Sequence, residues 1–135
     1  MKKDITPTTV NGVYIAAVQE WNDEMLDQSW YMYLINDMDV AIESVMVVTS
    51  AFGTLDGELK KTSTLRHAYL EVPAHAAIKV EWLPNNLLDL HNECMVTFFI
   101  GNSLRDRKYV FRKGGLTADR LLPLPVLHRP GILAD

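Results

Sequence analysis

The chain has 135 residues, 48% of them apolar and 22% charged, with a formal net charge of −4. That length holds one domain of ordinary size, and that balance is the composition of a globular chain and not of a disordered one. The acidic excess gives the molecule as a whole no attraction for polyanions, no apolar run approaches the ~18 residues that cross a bilayer as a helix, and a single cysteine, Cys94, excludes an internal disulfide framework.

The start, Met1-Lys2-Lys3, is basic, but Asp4-Ile5-Thr6-Pro7-Thr8-Thr9 follows it. A secretory signal needs an apolar stretch of ~7–15 residues there, so the expected address is cytoplasmic. Residues 1–10 read as a flexible lead-in. Asn11-Gly12 then opens the apolar run Val13 to Val18, and the acidic stretch Glu20-Trp21-Asn22-Asp23-Glu24 closes it. Trp30 to Ile35 is aromatic and stiff, a strand by composition, and Asn36-Asp37-Met38-Asp39 turns it. Val45 to Val48 is a third, β-branched strand.

Asp56-Gly57 is the strongest hairpin signal of the chain, because glycine accepts the positive φ of a tight reversal and aspartate pairs well with it. An extended stretch from Thr62 to Val72 ends at Pro73. Across Ala77 to Trp82 the alternation places Ile78, Val80 and Trp82 on one face and Lys79 and Glu81 on the other. Leu87 to Leu90 suits one helical turn. Cys94 to Ile100 is apolar, Gly101-Asn102-Ser103 turns it into a partner over Lys108 to Lys113, and Thr117 can cap a short helix. The tail Leu122 to Leu127 is extended, since each proline disfavours helix at the residue before it.

Seven or eight short strands without a long amphipathic helix predict an all-β, antiparallel sandwich of immunoglobulin or fibronectin type, with a β-barrel as the alternative. The sandwich would span residues 11–115, and 116–135 would form an extended C-terminal segment packed on it or on a partner. Several central strands are apolar on both sides: Trp30, Met32 and Leu34 face one way, and Tyr31, Tyr33 and Ile35 the other. A sandwich strand normally has one polar side. The outward sides therefore need a cover, either the proline-bearing tail or a second copy, and a homodimer is expected ahead of a monomer.

Chemistry-bearing patterns are sparse. His67, His75, His91 and His128 form no HxH or HExxH pair, so zinc would need ligands from distant loops. The acids at 20–27 and at 37–39 fall at opposite ends of a hairpin and lack calcium-loop spacing. No G-x-S-x-G elbow, P-loop or dinucleotide glycine pattern occurs. Cys94 and His91 would face opposite sides of a strand, which argues against a dyad. No cofactor or metal is implied, and no catalytic residue is assigned.

Two binding patterns stand out. Trp21, Tyr31, Tyr33, Arg66 and His67 are candidates for partner binding. Arg66 and His67 end the donor-rich stretch that begins at Lys60, and Trp21 with Trp82 could form sugar platforms. Arg105, Arg107, Lys108, Tyr109, Phe111 and Arg112 interleave cations with rings and are candidates for nucleic-acid binding, against the plainer reading of an edge strand guarded by charge.

The segments Glu20-Trp21-Asn22-Asp23-Glu24, Tyr33-Leu34-Ile35-Asn36, Lys61 to His67, Lys108-Tyr109-Val110-Phe111 and Pro125-Val126-Leu127 resemble a family of small uncharacterised bacterial proteins, sometimes labelled as a phenylalanyl-tRNA synthetase subunit. The resemblance covers nearly the whole chain after residue 10. It implies a shared fold and no known activity, and the residues do not support the label, since the chain is short and shows no class II synthetase motif or ATP site. The expected function is a non-catalytic protein-interaction module that self-associates or binds a protein partner. The alternatives are a nucleic-acid or ribonucleoprotein accessory using residues 105–113, and a metal-dependent hydrolase.

Overall fold

A computed structural model describes residues 11–135; the expected lead-in, residues 1–10, lies outside the described residues. The strands are β1 (Val13–Asn22), β2 (Asp27–Asn36), β3 (Ile42–Leu55), β4 (Glu58–Lys61), β5 (Leu65–Val72), β6 (Ala76–Leu83), β7 (His91–Ile100), β8 (Ser103–Phe111), β9 (Leu122–Pro123) and β10 (Pro130–Leu133). The only helical pieces among the described residues are two single 3-10 turns, Asn85–Leu87 and Ala118–Arg120. The second starts at Thr117, but no hydroxyl cap bond is made.

The strands form two antiparallel sheets, a sandwich and not a closed barrel. The first runs β6-β2-β1-β10-β9. In the second, β3 pairs with β7 on one edge and with both β4 and β5 on the other, and β8 flanks β7. Asp56 and Gly57 reverse β3 into β4 with φ of 52° and 80°, the doubly positive geometry that favours an aspartate–glycine pair. The long β3 is thus met by one return strand in two pieces. Between them, residues 62–64 lie opposite residues 50–51, one residue in excess. The bulge is held where the Thr62 hydroxyl accepts the Ala51 N–H at 2.8 Å.

The core lies between the sheets. Val13, Ile15, Met32, Leu34, Val45, Val47, Val96, Phe98 and Tyr109 are all fully buried in it. At ~1.5–3 kcal/mol per buried large apolar side chain, this layer dominates stability. The Tyr109 hydroxyl donates to the Val13 carbonyl at 2.5 Å, tying β8 to β1 across the interior. Buried Asn36 donates to the carbonyls of Val40, Val72 and Pro73 and so fixes the loops at one end of the sandwich.

The two long sides of the sandwich differ. On one, the chain end stitches the sheets together. After β10, Asp135 exchanges both backbone bonds with Val110 of β8, at 3.0 and 3.1 Å. On the other, β5 and β6 are joined by a short turn at Pro73–His75 and form no ladder among the described residues, so a seam stays open. Residues 116–135 therefore do more than lie on the sandwich: they supply β9 and β10 and close one side of it.

Candidate functional site

The outer faces of the two sheets have different covers. On the first sheet, Ala16, Val18, Tyr33 and Ile35 are capped by Leu124 of the tail, with Val126 and Leu127 packed beside it. This is the cover that the two-sided apolar strands demanded. A polar latch fastens it. Glu20, with its side chain 15% exposed, receives Arg129 at 2.5 Å and Lys79 at 2.6 Å. The Tyr33 hydroxyl also donates to Glu20, while Arg129 donates to that hydroxyl at 2.9 Å. Burial pushes the Glu20 carboxyl up, but the bonds from Lys79, Tyr33 and Arg129 outweigh it and hold the carboxyl below its ordinary range.

The second sheet has no such roof among the described residues. Paired residues share a face, so the ladders set out its outward rows. Arg66, Val48, Met95 and Lys108 make one row, and Ala68, Met46, Thr97 and Asp106 the next. Phe99 and Leu104 continue the pattern, with Glu43 beside Phe99. Met46, Met95, Phe99 and Leu104 are all exposed, Leu104 by 58%.

At the open seam, β6 departs from regular alternation. Val80 and Glu81 both stand opposite Met32, since Met32 pairs with Glu81 and Tyr33 with Lys79. This bulge corrects the face assignment made from the sequence. Ile78 and Val80 point into the core and Lys79 points out, as expected, but beyond the bulge Glu81 turns inward and Trp82 outward. The extra residue re-aims every side chain after it. Glu81, 11% exposed, is met across the seam by two inward side chains of the second sheet: the Thr49 hydroxyl donates to Oε1 at 2.7 Å, and His67 Nε2 lies 2.9 Å from the same oxygen. Glu81 and Thr49 edge a cleft of about 280 Å³ whose apolar walls include Met32, Leu65, Leu83 and Leu87.

The partner-binding candidates are dispersed. Tyr33 is only 8% exposed and belongs to the latch, under the tail; its ring is spent on the chain's own cover. Tyr31 carries Lys79 Nζ 4.5 Å above its ring. Arg66 lies on the uncovered face and His67 in the seam. Trp21 shares a shallow recess with Tyr31, Trp82, Asp23 and Glu24, and its indole N–H donates to Asp23 at 2.9 Å. The sequence missed Glu81, Thr49 and Met95; Glu81 was hidden by the bulge and the others read as ordinary strand residues.

The basic-aromatic stretch is divided by strand alternation. Tyr109 and Phe111 are buried and offer no face to a base. Arg105 and Arg107 share their side of β8, and Arg107 lies over the Tyr109 ring at 4.6 Å. Lys108 faces out and pairs with Glu93 at 3.2 Å, and Arg112 pairs with Asp135 at 3.0 Å. Burial, with Glu81 nearby, pushes the Cys94 thiol up to about 12, so it is a protonated core group at neutral pH. Among the described residues, no three His, Cys, Asp or Glu side chains gather as a metal-ligand set, and no helix is long and apolar enough to cross a membrane.

Comparison with protein-family models, with curated proteins and with solved structures finds no match for this chain.

Proposed function

We propose that this protein is a non-catalytic interaction module that pairs with a second copy of itself through the outer face of the β5-β3-β7-β8 sheet. One observation carries the reading. The chain spends its own tail on roofing one apolar sheet face and leaves Met46, Met95, Phe99 and Leu104 exposed on the other. Contiguous apolar surface of this kind marks association sites on folded proteins.

Size sets the expected strength. Four strands about 4.8 Å apart, with outward residues about 6.8 Å apart along each, make a face of roughly 20 Å by 20 Å. That is about half of the 800 Å² that each partner brings to a standard interface, so the pairing belongs to the weak, micromolar class. Charge favours a like partner. Arg66 and Lys108 end one row, while Asp106 and Glu43 lie in the rows beyond it. A two-fold relation that reverses the strand direction brings the cations of one copy toward the acids of the other.

Sedimentation velocity between about 1 and 200 µM tests this, a range that brackets weak association. A reversible monomer–dimer equilibrium is expected, abolished by Met95→Asp. A strict monomer throughout, or a dimer that Met95→Asp leaves intact, overturns the proposal.

A further inference from the structure

The geometry points to the β5/β6 seam as a binding site for a small amphipathic cation: an ammonium head anchored by Glu81, on an apolar body about the size of one aromatic ring. The size follows from the cleft, whose volume of about 280 Å³ lies just below the ~300–1,000 Å³ of pockets for drug-sized ligands.

The first support is the bulge. A regular β6 would have carried Glu81 outward with Lys79, into water. The extra residue at Val80 instead sends the carboxylate between the sheets, where charge is costly unless partnered. Bulges concentrate where a side chain must be re-aimed. The second support is the placing of both observed partners on one oxygen of that carboxylate. Thr49 and His67 both address Oε1, so neither contact engages Oε2. The third is the charge of the walls. Among the described residues, Glu81 and Glu93 line the cleft and no lysine or arginine does; Glu93 is answered by Lys108, whereas the partners of Glu81 are Thr49 and His67. An anion would face the Glu81 carboxylate in a partly desolvated cleft, where repulsion is strong. A cation there gains a charge-assisted bond instead.

The apolar walls select the body. Met32 and Leu83 form the inner wall, and half-exposed Leu65 stands at the mouth beside the bulge at residues 62–64. The Thr62 hydroxyl is already committed, accepting from Ala51 and donating to the Ser63 carbonyl. With Glu93 paired to Lys108, Glu81 is the cleft's charged anchor, set among hydrocarbon from Met32, Leu65, Leu83 and Leu87 and the neutral polar groups of Ser50, Ser63 and Asn92, the pattern of a small-ligand site. The competing role for Glu81 is purely structural, an inward charge that keeps the open edge from pairing with another strand.

Amide chemical-shift titration of the isotopically labelled protein separates the two. The probes are benzylammonium, its neutral isostere benzyl alcohol and the anion phenylacetate. Benzylammonium is expected to shift the amides of Thr49, Leu65, Glu81 and Leu83 saturably, with a Kd near about 1 mM for so few atoms. Benzyl alcohol should bind about tenfold more weakly or worse, as the loss of a charge-assisted bond requires, and phenylacetate should leave those amides unmoved. Glu81→Gln should weaken benzylammonium at least as much as the alcohol exchange does. Leu65→Trp, which fills the mouth and leaves the Glu81–His67–Thr49 contacts in place, should block it, and it decides the matter if Glu81→Gln does not fold. The proposal is overturned by no saturable shift at the seam, by equal binding of the alcohol, or by shifts confined to the Trp21–Asp23 recess.

Discussion

Glu20 shows how one side chain can hold a segment far away in sequence. It gathers Lys79 from β6, Tyr33 from β2 and Arg129 from the tail on one carboxylate. Its pKa is lowered in the folded state, so its contribution is fully present above the unfolded value of 4.5 and is lost as pH falls through the lower folded value. Glu20→Gln should cost about 1.5–3 kcal/mol at neutral pH, the range for charge-assisted bonds. In urea denaturation the gap between parent and variant should close below pH 4.5; a gap that stays constant into acid would show that the carboxylate charge is not what fastens the tail. Cys94 makes a complementary case. Held as a thiol by burial first and Glu81 second, it should react with a thiol reagent only on the unfolding timescale, and reaction within seconds in the native protein would contradict its placement.

At the scale of elements, the features written in local chemistry were legible. Asp56-Gly57 marked its hairpin, Trp30 to Ile35 its strand, and the two-sided apolar pattern there demanded the cover that Leu124, Val126 and Leu127 provide. The bulges were not legible. Val80 is a β-branched residue in an alternating strand, and nothing local distinguishes a bulged position from a regular one, because the cause lies in the partner's register at Met32/Tyr33. The candidate site suffered most, since a one-residue slip moved Glu81 from solvent to seam. The pairing of Asp135 with Val110 was equally hidden, being a contact between distant parts of the chain. Gly131 records how tightly β10 is set. A Cβ there would stand 2.6 Å from the Ala17 carbonyl oxygen and 2.6 Å from Leu124 Cδ1, inside any tolerable contact. Gly131→Ala should therefore destabilise by about 1–3 kcal/mol, the usual cost of overpacking. The urea midpoint reads this, and an unchanged midpoint would mean that the tail yields freely.

For the whole molecule, the two sheet faces pose the same problem, and only the first is roofed by the chain itself, a difference that predicts how the proposed pairing responds to substitution. The first sheet is roofed intramolecularly, at high effective concentration, by a tail that β10 and the Asp135–Val110 pair tie down. On the pairing proposed above, the second is covered by another copy, and that cover is sensitive to dilution. Leu124→Asp places a charge on the 9%-exposed keystone of the roof, where an unpaired carboxylate is expensive. The segment 122–127 should then lift while the sandwich core, built from other residues, persists. The uncovered face of Ala16, Val18, Tyr33 and Ile35 would supply a second sticky surface on the side opposite the first. A molecule with two such faces has no reason to stop at a dimer. Sedimentation should show Leu124→Asp forming species larger than a dimer, and Leu124→Asp with Met95→Asp returning to a limited equilibrium through the single face that remains. If Leu124→Asp instead stays at the parental monomer–dimer distribution with its native amide spectrum, the tail is not what keeps the first sheet from associating.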